Sequence, residues 1–82
     1  MLKGIIVGNI VSTRKQASLL GAKFMEVQLI ENNAKTDKFI VAIDSVGAGI
    51  GETVLITTGS PARLALTNTN SPCDAVIVGI VD

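Results

Sequence analysis

Apolar and polar positions alternate with period two along several short stretches of the chain, and turn-forming residues separate them. That pattern describes strands with one face buried, not helices. It is clearest in Lys23 to Ile30, where Met25, Val27 and Leu29 fall on one side and Glu26 and Gln28 on the other. Lys3 to Val11 carries Ile5, Ile6, Val7, Ile10 and Val11 around Gly8, a glycine placed where a strand bulges or bends sharply. The polar run Glu31 to Asp37 reads as a turn, and Lys38 to Val46 as the return strand of an antiparallel hairpin. Glu52 to Thr58 supplies a fourth strand, and Asp74 to Val81 a last one that reads as buried on both faces. Between these two, Ser60 is a helix cap, with Pro61 at the first helical position and Ala62 to Leu66 following, so a helix of one or two turns is predicted.

Five strands and one short helix in 82 residues predict an all-β fold, a small OB-like barrel, because closure removes the edges that a short open sheet exposes. No linker, repeat or low-complexity segment divides the chain, so residues 1–82 read as one domain. A domain this small leaves roughly 40% of its unfolded surface exposed. Here 48% of the residues are apolar and the formal charge is zero. Surplus apolar surface with little mutual repulsion predicts self-association. The longest apolar runs are far shorter than the ~20 residues needed to span a bilayer, so no membrane partner is expected. No A-x-A cleavage pattern follows the N-terminal apolar stretch, so a secretory signal is not expected.

Composition narrows the chemistry further. The sequence has no His, which removes Ser/His and Cys/His nucleophilic pairs and His-ligated zinc; no catalytic residue, metal ligand or cofactor is expected. The one cysteine, Cys73, cannot form an internal disulfide, fits a reducing compartment, and reads as a small buried hydrophobe. The carboxylates form no close pair in an apolar setting and read as solvated surface. Asp44 is the exception: it lies in an apolar strand just before a glycine-rich run, where it can accept backbone N–H bonds that fix the turn.

That run, Gly47-Ala48-Gly49-Ile50-Gly51, is the most distinctive segment. Glu52 stands where a dinucleotide fingerprint needs its third glycine, and no Gly-Lys-Ser/Thr is present, so phosphate binding is not expected. Two readings stay open: a tight turn with glycines at positive φ, or a loop stripped of side chains so that several copies can crowd round a symmetry axis. An OB-type barrel also raises single-stranded nucleic acid as an alternative ligand. The chain lacks Trp and Tyr, has only Phe24 and Phe39 as rings, and balances seven basic residues with seven acidic ones, which argues against it. Arg14-Lys15 is the only basic pair; Arg63, on the expected helix, reads equally as surface or as a fork-like contact to a neighbouring subunit.

Taken in order, these pieces resemble the bacterial microcompartment vertex proteins related to the carboxysome pentamer and the ethanolamine-utilisation shell protein. The resemblance covers almost the whole chain. It runs from Gly4 to Gly8 through Thr13-Arg14-Lys15, Ser18 to Gly21, Lys23 and Val27-Gln28. It continues through Asp44 to Gly51, Gly59-Ser60 and Ala62-Arg63, and ends with Asp74-Ala75 and Val78 to Asp82. Pro61 and Cys73 depart mildly from the family's pattern, and neither disturbs the fold. The resemblance implies a homopentamer filling the five-fold corners of a protein shell in the bacterial cytoplasm, with hexameric shell proteins as neighbours. It places Gly47, Ala48, Gly49, Ile50 and Gly51 near the five-fold axis or its pore, with Asp44, Ser60 and Arg63 as loop support or subunit interface.

Overall fold

The computed structural model describes residues 1–10, 23–59 and 75–82. Five strands form a closed barrel: β1 (Leu2–Ile10), β2 (Lys23–Glu31), β3 (Ala34–Asp44), β4 (Thr53–Thr58) and β5 (Ala75–Val81). Round the barrel the order is β1-β2-β3-β5-β4, with β4 returning to β1. Neighbours are antiparallel except at the seam, where β3 and β5 run parallel and pair only at Ile43–Val76 and Asp44–Ile77. The expected five-stranded barrel is therefore present; the helix expected from Ser60, the ends assigned to Val11 and Asp74, and the site residues Ser60 and Arg63 lie outside the described residues.

Alternation along the strands sends one set of side chains inward to a single core. Ile6, Met25, Val27, Ala42, Val54, Ile56 and Ile77 fill it, and Ala48 closes it from a loop. Met25, Val27 and Leu29 are buried while Glu26 is exposed, as the period-two pattern of β2 requires. In β5 the consecutive residues Val76 and Ile77 are both fully buried, so both faces of its first half are covered. Ile80 and Val81 are partly exposed, and the expectation of a strand buried on both faces does not hold for its end.

Five strands close so tight a cylinder only with local bends, and bulges supply them. Ile6 pairs with Val27 and Gly8 with Glu26, which leaves Val7 as an extra residue on β1 beside the glycine predicted to mark a bend. Leu55 pairs with Gly79 and Ile56 with Ile77, so Val78 bulges on β5. On β3 the irregularity spans Thr36 to Lys38, opposite Leu29. There side chains replace the ladder: Thr36 Oγ1 donates to the Leu29 carbonyl at 2.8 Å and accepts the Lys38 N–H at 3.1 Å, while Gln28 Nε2 donates to the Thr36 carbonyl at 2.7 Å.

This bulge corrects the polar turn expected over Glu31 to Asp37. The turn is only Asn32-Asn33, both left-handed with φ of 54° and 61°, and β3 starts at Ala34 instead of Lys38. Asn tolerates positive φ, and two such residues make the tight hairpin whose twist matches its strands. Lys35 to Lys38 are polar because the hairpin end is exposed, apart from the half-buried Thr36. The same strand ends at Asp44 instead of Val46, for a reason that belongs to the loop that follows.

Candidate assembly site

The glycine-rich loop leaves β3 under the control of Asp44. Its Oδ1 accepts the N–H groups of Val46 at 3.0 Å and Gly47 at 3.1 Å, which diverts both amides from any sheet ladder and ends the strand. The side chain is only 2% exposed, and Lys23 Nζ lies 3.9 Å from Oδ2, so the carboxylate is held on both oxygens. Ser45 adds a second tie by donating its hydroxyl to the Ile77 carbonyl at 2.6 Å.

Beyond Gly47 the loop is built as a plug and a turn. Ala48 is 2% exposed and packs into the barrel's own core, whereas Ile50 two residues later is 62% exposed. The Gly49 carbonyl accepts the Glu52 N–H at 3.2 Å, closing a four-residue turn with Gly51 third at φ 91°. A positive φ at the third position is what a type II turn demands, and it selects glycine. Gly47, at φ 80°, has the same requirement. The loop then rejoins the barrel: the Gly51 N–H donates to the Ile6 carbonyl at 2.8 Å, and the Ile6 N–H to the Glu52 carbonyl at 3.0 Å.

Gly49 differs from its two neighbours. Its φ is not positive, and a Cβ added there meets nothing closer than Glu52 Oε1, at an ordinary 3.5 Å. Neither backbone conformation nor crowding within one chain asks for glycine at this position. Gly47 and Gly51 are thus glycines of the fold, and Gly49 is not.

The structure brings Asp44, Gly47, Ala48, Gly49, Ile50 and Gly51 into one hydrogen-bonded loop between β3 and β4. Reading Glu52 as solvated surface at the start of a strand missed part of the site. Its Oε1 accepts the Gly49 N–H at 2.6 Å, and β4 starts only at Thr53. The usable signal was the spacing: a carboxylate three residues after a glycine can turn back on that glycine's amide. Ser45 was missed as well, because its partner Ile77 is 32 residues away in sequence.

Chemically this loop offers shape, not reactivity. Among the described residues no group of three or more His, Cys, Asp or Glu is placed to hold a metal ion. What the surface does offer is apolar area: Phe39, Val41, Val46, Ile50, Ile80 and Val81 are all exposed beyond a third of their full area.

Comparison with known proteins gives this surface a context. The family described as Ethanolamine utilisation protein EutN/carboxysome matches residues 1–82. The chain is 42% identical over 82 residues to the bacterial microcompartment shell vertex protein PduN of Salmonella typhimurium, covering 94% of this chain and 90% of that one. It is 41% identical over 80 residues to the carboxysome shell vertex protein CcmL of Gloeobacter violaceus, covering 96% and 80%. The solved structure of Gloeobacter violaceus CcmL superimposes with a TM-score of 0.95 over 100% of this chain and 86% of that one, at 41% identity. The GrpN pentameric microcompartment shell protein from Rhodospirillum rubrum superimposes with a TM-score of 0.90 over 100% and 94%, at 40% identity. With a whole-chain family match and relatives of this identity and coverage, the chain belongs to the EutN/carboxysome family of microcompartment shell vertex proteins.

Proposed function

We propose that five copies of this chain, each acting as one domain, close into a ring that caps a five-fold vertex of a bacterial microcompartment shell in the cytoplasm. The observation that carries the reading is whole-chain similarity to proteins named as shell vertex proteins, one of them described as pentameric in its solved structure. The function is mechanical. Ring contacts are heterologous, one surface patch meeting a different one, and they close when the rotation between neighbours is right. A five-fold ring introduces curvature into a shell whose flat facets are tiled by hexameric shell proteins, the partners this chain would meet at its rim.

In this reading the glycine loop faces the five-fold axis. Asp44 and Glu52 hold its backbone, Ala48 anchors it in the barrel, and the bare surface at Gly47, Gly49 and Gly51 with Ile50 meets the neighbouring loops. Ser60 and Arg63 retain the interface or loop-support role assigned from the family pattern. The experiment that tests vertex placement is co-expression of this chain with a set of hexameric shell proteins. Electron microscopy should show closed polyhedra with the chain and open sheets or tubes without it. Closed polyhedra in its absence would contradict the proposal.

A further inference from the structure

The chain's only two aromatic residues, Phe24 and Phe39, lie on β2 and β3 and outside the core cluster; Phe24 is half-buried and Phe39 exposed. The core is aliphatic, apart from Met25. Phe39 is 51% exposed and Val41, two residues along the same face, is 50% exposed. A ring as exposed as that of Phe39, on a small barrel with an aliphatic core, belongs to an interface, where aromatic side chains are enriched. On β2 the residue paired with Val41 is Glu26 and the one paired with Phe39 is Gln28, so an apolar strip runs beside one carboxylate.

The other three strands, β1, β4 and β5, carry a surface of opposite character that adjoins the first where β1 pairs with β2. Lys3 on β1 pairs with Leu55 on β4, which pairs with Gly79 on β5, so a lysine, a leucine and a glycine form one row across three strands. At Gly79 an added Cβ finds only Leu55, its Cδ1 at 3.8 Å, so the row ends in a shallow hollow. Among the described residues the ion pairs are Lys23–Asp44 and Lys38–Glu31, and neither Lys3 nor Glu26 has an opposite charge within reach. One wall thus presents an aromatic projection beside an unpaired carboxylate, and the other a hollow beside an unpaired ammonium.

We infer that these two walls meet between adjacent copies in the ring: Phe39 and Val41 of one chain pack on the Leu55–Gly79 row of the next, and Glu26 pairs with the Lys3 ammonium of that neighbour. The inference rests on the ring proposed above and names its wall contact, separate from the glycine loop. It is heterologous, as a five-fold ring requires. The β2–β3 face is also where OB-type barrels seat single strands of nucleic acid, but a central Glu26 repels phosphate and suits the lysine of a second copy.

Charge reversal tests the pairing on the full chain. Glu26→Lys and Lys3→Glu should each raise the concentration needed for assembly by about tenfold or more, because like charges then face each other across the contact. The double variant should regain the wild-type assembly. Circular dichroism on each variant separates lost assembly from lost folding, since both positions lie on the outer wall. Carbodiimide coupling, which joins a carboxylate directly to an amine, gives a second reading on the wild type: mass spectrometry of the digest should contain a Lys3–Glu26 linked peptide formed between two chains. A wild-type ring that survives both single reversals, without that peptide, overturns the pairing and leaves the ring intact. A wild type that stays monomeric overturns the ring itself, and single-strand binding at low salt that Glu26→Lys strengthens assigns the face to nucleic acid instead.

Discussion

The Glu52 carboxylate reaches back three residues and accepts the Gly49 amide proton at 2.6 Å, so the side chain of the turn's last residue holds the backbone of its first. The main chain closes the same turn from the other side, through the 3.2 Å bond from the Glu52 N–H to the Gly49 carbonyl. A loop tied in both directions keeps one shape whether or not a neighbour is present. Ring closure then does not have to order it, and an ordering cost on association is avoided.

Glu52→Ala should therefore loosen the loop without unfolding the barrel. The lost bond is solvent-exposed and worth about 1 kcal/mol. Hydrogen exchange at the Gly49 amide should accelerate while the Val27 and Ile56 amides stay protected. Unchanged protection at Gly49 would mean that the carboxylate is not what holds the turn.

Asp44 carries more. Its carboxylate is nearly inaccessible and accepts two backbone N–H groups, so Asp44→Ala leaves those donors without their acceptor, at about 1–3 kcal/mol. Asp44→Asn keeps an oxygen acceptor and gives up the attraction to Lys23, and should fall between wild type and alanine. Urea unfolding at one fixed protein concentration checks the order, since assembly would otherwise shift the midpoints.

The strand patterns were readable where one face was buried and the other wet, as at Met25, Val27 and Leu29 against Glu26. They failed at the β2–β3 hairpin for a physical reason. Ala34 to Lys38 belong to a strand largely exposed on both faces, so its composition matches that of a loop, and only the left-handed Asn32-Asn33 pair marks the true turn. In the loop, the role of Asp44 followed from a carboxylate standing in an apolar strand. Those of Ser45 and Glu52 did not, because a hydroxyl bonded to a distant strand and a carboxylate bonded within its own turn both look like ordinary polar surface. Wall contacts between copies were out of reach because the surfaces that carry Glu26 and Lys3 exist only once the barrel has set β2 beside β3 and β1 beside β4.

Gly4 is a further position where the fold dictates the residue. A Cβ there runs into the Val27 side chain and lies 2.8 Å from the Gln28 carbonyl oxygen, so β1 and β2 approach closely because Gly4 has none. Gly4→Ala should destabilise the barrel by about 1–3 kcal/mol, read as a lowered melting temperature. An unchanged melting temperature would contradict this close approach.

Gly49 and Gly51 separate the demands of the fold from those of the ring. Gly51→Ala forces a side chain onto φ 91° and should lower the melting temperature of the barrel itself. Gly49→Leu meets no such strain within the chain, so it should leave the barrel folded and disrupt assembly instead. An intact ring in Gly49→Leu would remove this loop from the axis.

The native mass of the purified wild-type chain, taken at several concentrations, bears most directly on the central claim. A stable species of five times the chain mass, persisting on dilution, is the result the proposed vertex role predicts. A chain that remains monomeric throughout, or closes into six, would contradict its placement at a five-fold vertex.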